Sequence, residues 1–179
     1  MAAAFHDDDS NHNKKKVTLK NGREVFVRPI DQTDDELLLA LFQRLGPDSI
    51  YMRFLSPLRA LSDDLLFKLT HVNYQSDFAL VALIRENGSD SIIAVARYGY
   101  DPSEKATDFA VLVRDDWQNL GLGKFLLTEI LTIGRQRGVT RFVSIIDSTN
   151  RIMKHIIKNL GYSVKYSYKA GHTKIHILV

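Results

Sequence analysis

"VRDDWQNLGLGKFLL", Val113 to Leu127, is the stretch from which the rest of the chain can be read. A β-branched run ends in it, a charged turn follows, and Gly121 and Gly123 stand two positions apart before an apolar helical pattern. Glycine takes up positive φ at no steric cost and lets a ligand come close to the main chain. Successive N–H groups at the mouth of a helix can then form a nest, backed by the positive end of the macrodipole. Such a loop is either an anion site or a plain structural turn. The dinucleotide fingerprint fits poorly, because Phe125, Leu126 and Leu127 follow Lys124 where a third glycine is needed. The nucleoside-triphosphate loop is absent too, since Gly123-Lys124 precedes Phe125 rather than Ser or Thr.

Working outward, Asp108 to Arg114 is the last of three strands in series. Phe78 to Arg85 is almost continuously apolar, as in a strand covered on both faces. "ENGSDS" turns the chain, Ile92 to Tyr100 returns, and "DPSEKAT" turns it again. Beyond the loop, a helix from about Leu122 to Arg137 is ended by Gly138. A strand at Arg141 to Ile146, a helix at Thr149 to Asn159 and a hairpin of Tyr162–Tyr168 and Thr173–Val179 complete that half. Upstream, "EVFVRPI" (Glu24 to Ile30) alternates like a strand. Leu37, Leu38, Leu41, Phe42 and Leu45 then form a helical stripe that Thr33 or Asp34 can cap and Gly46-Pro47 stops. Two short helical pieces follow, Asp48 to about Leu55 and Ser62 to Leu69, with Ser62 as the cap. This order predicts an α/β (α+β) fold, a mixed sheet of about seven strands with helices on both faces.

The bulk numbers suit one domain. The chain has 179 residues, 45% hydrophobic and 25% charged, which is ordinary for a globular protein. Met1 to Lys16, "MAAAFHDDDSNHNKKK", carries too little apolar surface to offset the entropy of ordering and is read as a disordered tail, with the domain at 17–179. No secretory signal pattern is visible. The longest apolar run, Phe78 to Ile84, falls well short of the roughly 20 residues a bilayer needs, so no membrane partner is expected. The absence of cysteine excludes disulfides and thiolate chemistry and fits a cytoplasmic protein. With 24 basic against 21 acidic residues, the chain lacks the basic excess of a nucleic-acid binder. It suits a local basic patch and an anionic ligand. His6, His12, His71, His155, His172 and His176 show no zinc-site spacing, and no metal is expected.

Within the opening stretch, Gln118-x-x-Gly121-x-Gly123 resembles the Q/R-x-x-G-x-G/A acetyl-CoA motif of the GNAT N-acetyltransferases. The resemblance runs from about Gly22 to Tyr162 and includes "NRIMKHIIKNLGY" (Asn150 to Tyr162). "GREVFVRPI", "PDSIYMRFL", "LTHVNY", "VARY" and "FAVLVRDDWQNLGLGKFLL" are together similar to the acetyltransferase domain of bacterial Pat-type protein-lysine acetyltransferases. The resemblance implies a GNAT fold in which two central strands splay apart to hold acetyl-CoA. It implies that Gln118, Asn119, Leu120, Gly121, Leu122, Gly123 and Lys124 wrap the pyrophosphate. Leu112 and Val113 would pair with the pantetheine as an added strand would. A main-chain N–H near Leu112 would stabilise an oxyanion, a contact worth about 3 kcal/mol per donor. Asn150 would hydrogen-bond the cosubstrate, with Arg151 and Lys154 nearby.

A lysine amine has a reference pKa of about 10.4 and must lose a proton before it attacks a thioester. Pat-type domains use a strand glutamate in an "E-F-A" setting; here Asp108-Phe109-Ala110 keeps the carboxylate one methylene shorter. Many small-amine GNAT enzymes carry a proton-donating tyrosine seven positions after the helix asparagine. That position is Ile157 here, a departure shared with Pat-type domains. Arg53 and Phe54 lie in a shared block and would shape the acceptor entrance, while Trp117 is expected to pack at the loop's edge. The resemblance thus implies an acetyl-CoA-dependent protein-lysine acetyltransferase with Asp108 as base. Its expected substrates are AMP-forming acyl-CoA synthetases, and it would work as a monomer or homodimer. A small-amine acetyltransferase and a non-catalytic acetyl-CoA sensor are the alternatives.

Overall fold

The computed structural model describes residues 14–102 and 105–179. They form an eight-stranded sheet in the order β1-β2-β3-β4-β5-β6-β8-β7. The strands are β1 (Lys15–Thr18), β2 (Glu24–Pro29), β3 (Phe78–Glu86), β4 (Ser89–Asp101), β5 (Ala106–Val113), β6 (Arg141–Asp147), β7 (Ser163–Lys169) and β8 (His172–Leu178). The helices are α1 (Asp35–Gln43), α2 (Pro47–Phe54), α3 (Asp63–Thr70), α4 (Leu122–Gln136) and α5 (Arg151–Lys158). All strand pairs are antiparallel except β5 with β6.

The eighth strand is β1, which begins two residues inside the stretch expected to be a tail. Lys15 and Lys16 hide it from a hydrophobicity reading. At a sheet edge, lysines are compatible with strand pairing: Lys15 reaches Glu129 on α4, and Lys16 meets Glu24 at 2.7 Å. Residues 1–13 of the expected tail lie outside the described residues. At α1, neither Thr33 nor Asp34 provides the expected cap. Asp31 accepts the Thr33 N–H at 2.9 Å and opens a 3-10 turn over Gln32–Asp34. The Asp34 carboxylate is instead held by Arg28, with two bonds of 2.7 Å. Ser62 does cap α3, accepting from Leu65 N–H at 3.3 Å.

Apolar side chains fill both faces of the sheet. On one face, Leu126, Leu127, Ile130 and Leu131 of α4 pack with Phe78, Phe109, Phe142, Ile175 and Ile177. On the other, Leu38, Leu41 and Phe42 of α1 pack with Ala79, Val81 and Leu83. β3 is therefore covered on both sides, which is why its sequence does not alternate.

β5 pairs with β4 along its whole length, from Ala106↔Asp101 to Val113↔Ala94. It pairs with β6 only at Thr107↔Phe142 and Asp108↔Val143. β6 is meanwhile held along its other edge by β8, from Arg141↔Leu178 to Asp147↔His172. Past Asp108 the two strands part, each secured by its outer neighbour.

Close packing at the root of this splay relies on Gly134. A Cβ added there would sit 2.4 Å from Phe142 Cζ and 3.2 Å from Tyr98 Cε1. Overpacking of this kind costs about 1–3 kcal/mol, which outweighs the roughly 1 kcal/mol of helix propensity that alanine offers over glycine. Gly134→Val, without alanine's propensity, is expected to lower the unfolding free energy by about 2 kcal/mol. Urea denaturation measures this, and an unchanged midpoint would show that the ring has room to move.

Candidate active site

The splay opens a cleft of about 1470 Å³. Its walls come from β5 and β6, the β1–β2 turn at Lys20, α2 through Ser49, Met52 and Arg53, the glycine loop, and α5. From Phe109 onward the β6-facing edge of β5 has no strand partner, so main-chain groups on that edge face the opening.

The loop after β5 is anchored by Arg114. This side chain is fully buried. It donates to Glu86 at 2.8 and 3.0 Å and to Asp116 at 2.6 and 2.9 Å. The Arg114 and Arg44 guanidiniums hold the Glu86 carboxyl down at about 2. Asp115 reaches the other way, accepting from Gly46 N–H at 2.7 Å and from the Ser49 hydroxyl. Trp117 is 2% exposed in the core under the Arg23 guanidinium, whose carbon lies 3.4 Å from the ring centre. The indole therefore packs, as expected.

After this anchor, Asn119 and Gly121 take positive φ of 62° and 89°. Asparagine tolerates that region and glycine is at home in it. No side chain caps α4; the first N–H satisfied in its opening turn is that of Phe125, by the Gly121 carbonyl at 3.0 Å. The N–H groups of Leu122, Gly123 and Lys124 are left as a helix start leaves them, without intrahelical acceptors. Gly123 is not required by backbone strain. A Cβ there would stand 3.5 Å from Val113 Cγ2 and 3.8 Å from Ile156 Cδ1, in ordinary contact. Its missing side chain keeps the throat between β5 and α5 open.

Asp108 lies at the fork itself. Its carboxylate touches solvent, yet it sits low in the cleft with protein on most sides. Loss of bulk water around it is what pushes its pKa up to about 6; Asp101 adds to the rise, while Arg53, the Phe109 N–H and Arg97 oppose it. Arg53 is itself pushed down to about 10, by burial first and then by the like charge of Arg97. Arg97 reaches the last carbonyls of α3, Leu69 at 3.4 Å and Lys68 at 3.5 Å, where a helix end favours a cation. A carboxylate with a raised pKa between two guanidiniums is equipped to accept a proton at neutral pH.

The sequence-selected residues gather here with few exceptions. Asp108, Leu112, Val113, Gln118, Asn119, Leu120, Gly121, Gly123, Lys124 and Asn150 line the cleft, as do Arg53, Arg151 and His155. Leu122 does not; its side chain is buried in the core against which the helix packs. Gln118 has a different task from the one expected of its amide. Its own N–H goes to Asp115 at 3.3 Å, and its side chain donates to Val113 O, Ser49 Oγ and Asp115 Oδ1, each at 3.0 Å. It ties the loop to the strand end and takes up the Val113 carbonyl. Asn150 caps α5, accepting from Met153 N–H at 3.0 Å, and its NH₂ remains a donor. Lys154 turns away to Ser148 O at 2.7 Å. Phe54 belongs to the core beside Phe42, and His71 stacks on Phe67. Ile157 is completely buried. Arg97 and Arg114 lie within the quoted blocks "VARY" and "FAVLVRDDWQNLGLGKFLL", but their tasks and that of Lys20 depend on partners remote in sequence and were not legible there. Among the described residues, no group of His, Cys, Asp or Glu could hold a metal ion, and no helix is long and apolar enough to cross a membrane.

Comparison with known proteins agrees with this geometry. The family profile described as "Acetyltransferase (GNAT) family" matches residues 40–162. Acetyltransferase PA5475 of Pseudomonas aeruginosa is 32% identical over 145 residues, which is 81% of this chain and 78% of that protein. Acetyltransferase Pat of Mycolicibacterium smegmatis is 31% identical over 150 residues, again 81% of this chain, but the match spans only 43% of that protein's length. The crystal structure of the GNAT domain of S. lividans PAT superposes with a TM-score of 0.84 at 27% identity, covering 94% of this chain and 98% of that one.

The position of Asp108 has a consequence for stability. Its folded pKa, about 6, lies above its ordinary value of 3.8, so the fold binds that proton more tightly than the unfolded chain does. The folded state is then favoured below pH 4 and loses that advantage as pH rises to 6. Asp108→Asn removes the ionisation. Its melting temperature should match the parent's near pH 4 and exceed it above pH 7. A variant that is less stable than the parent at pH 8 would contradict the raised pKa.

Proposed function

The chain belongs to the acetyltransferase (GNAT) family, and from that premise we propose that it is an acetyl-CoA-dependent protein-lysine N-acetyltransferase of the cytoplasm. Its proposed substrates are AMP-forming acyl-CoA synthetases. One observation carries the reading: Asp108 stands at the fork of β5 and β6, at the foot of a cleft headed by an uncapped helix start.

The residues present fit acetyl-CoA. The open N-terminus of α4 suits a pyrophosphate, the space beside Gly123 admits a chain between Val113 and Ile156, and the free edge of β5 offers main-chain partners. Bound there, acetyl-CoA supplies an activated thioester. The N–H groups of Asn119 to Lys124 meet the phosphates, with Gln118 bracing the loop. The main chain at Leu112 and the Asn150 amide steady the arm between loop and fork.

Asp108 takes the proton of the acceptor lysine. Against a lysine near 10.4, a base near 6 works uphill by about four units; an ordinary aspartate would face more than six. Arg53 and Arg97 keep the carboxylate anionic at neutral pH. They also disfavour a second cation at the mouth, which shifts the incoming amine toward its neutral, nucleophilic form. The shortened carboxylate thus gains in basicity from the partial loss of water around it. Ile157, sealed in the core, supplies no phenol to a leaving thiolate, a feature in line with the Pat-type resemblance.

The test is acetyl transfer to a purified AMP-forming acetyl-CoA synthetase, with the modified lysine located by mass spectrometry. Transfer to the synthetase's active-site lysine is expected, with an acid limb in kcat/KM near pH 6. Asp108→Asn should lower kcat by about 10²–10⁴ and abolish that limb. Calorimetric binding of acetyl-CoA with no lysine modified would reject the proposed substrate, and full activity in Asp108→Asn would reject the base.

A further inference from the structure

The sheet is covered on both faces only over part of its width. Thr173, Ile175 and Ile177 of β8 point into the α4 side of the core. By strand alternation, His172, Lys174, His176 and Leu178 point to the opposite face. Cross-strand pairing then puts Val143, Ile145 and Asp147 of β6, and Lys165, Ser167 and Lys169 of β7, on that same opposite face. The core beneath α1, α2 and α3 includes no residue of β6, β7 or β8. On the side to which Asp108 points, α2 meets β6, where Tyr51 reaches Asp147 and Val143 is buried, whereas Lys165, Ser167 and Lys169 of β7 are exposed.

The register makes the connection specific. Asp108 pairs with Val143, Val143 with His176, and His176 with Lys165. These four residues form one row across the sheet, on one face. The neighbouring rows run Ile145–Lys174–Ser167 and Asp147–His172–Lys169. Lys165 and Lys169 are exposed. Asp147, the one carboxylate that β6, β8 and β7 place on this face among the described residues, is already engaged by the Thr149 N–H at 2.7 Å and the Tyr51 hydroxyl at 3.4 Å. Ile145 and Leu178, each 45% exposed, add apolar contact between the cations. The cleft beside this platform carries both signs, with Asp48, Asp101 and Asp108 alongside Arg53.

Resting on the protein-lysine reading above, we propose that the β8–β7 part of this face, with exposed Lys165 and Lys169, is the docking platform for an acidic protein segment that flanks the acceptor lysine. The cleft receives the lysine at Asp108, and the cations of the platform receive its carboxylate-bearing neighbours. Strands lie about 4.8 Å apart, so Lys165 stands roughly 14 Å from the Asp108 strand, three spacings away. About four residues of extended chain cover that distance. The platform therefore selects Asp or Glu some three to five positions from the modified lysine.

The test uses synthetic peptides with one central lysine, flanked at about those positions by Glu, Gln or Lys. Transfer rates to each are compared in the full chain and in Lys165→Glu/Lys169→Glu. The ratio of kcat/KM between Glu- and Gln-flanked peptides is the readout, because any general loss from the substitutions cancels in it. We expect a ratio of about ten at low salt, shrinking in 0.5 M NaCl and falling to one or below in the double variant. Equal rates on the Glu and Gln peptides, or a preference that survives the double substitution, would overturn the platform while leaving lysine acetylation intact. Sedimentation showing that the variant converts a dimer to monomer, with an unmoved ratio, would overturn it in favour of a second copy as occupant. Turnover of spermidine with none of the peptides acetylated would overturn the protein-lysine reading, and the platform with it.

Discussion

Two strands that pair at two positions and then separate set the geometry of everything else in the cleft. β5 and β6 are each fastened along the outer edge, to β4 and β8, and meet only at Thr107↔Phe142 and Asp108↔Val143. A break in a sheet would ordinarily expose main-chain groups that need partners. Here the unpaired stretch lines the cleft, where its main-chain groups are open to a polar ligand. The same fork leaves Asp108 at the last paired position, where it is low in the cleft yet reachable from outside.

The glycine loop works because its approach is rigid. Arg114, buried and paired with Glu86 and Asp116, fixes the end of β5. Asp115 binds the α1–α2 junction through Gly46 and Ser49, and Gln118 closes the turn onto Val113. The left-handed turns fall at Asn119 and Gly121, the loop residues with positive φ. Preorganised N–H groups then face the cleft without an ordering cost at the moment of binding. Charge is divided in a comparable way. Two guanidiniums balance the burial of Asp108, which leaves it a stronger base than a solvated aspartate and still ionised near neutrality.

Much of this was legible in the chain. Alternating and continuous apolar runs gave seven of the strands, because burial on one or both faces leaves a direct mark on side-chain pattern. The glycine loop from Gln118 to Lys124 stood out from residue type and order and the carboxylate at Asp108 through the resemblance to Pat-type domains, and all but Leu122 line the cleft. What escaped notice was of one kind. β1 is a strand because β2 offers an edge, whatever its lysines prefer. Arg28 draws Asp34 away from capping, Lys154 folds back to Ser148, and Gln118 braces where its amide was expected to bind. Each of these depends on a neighbour remote in sequence or on a polar competition that periodicity does not record.

The sequence by itself determined the fold class, the glycine loop at a helix start, the position of the carboxylate and the absence of a phenol at Ile157. These are properties of residue type and short-range spacing, fixed before any long-range contact forms. Only the tertiary structure decided how far apart β5 and β6 stand and that Arg53 and Arg97 converge on Asp108. It also decided that Asp108, Val143, His176 and Lys165 share one row. Distances, shifted pKa values and cross-strand rows come from segments brought together by burial of the core, and a linear chain does not carry them.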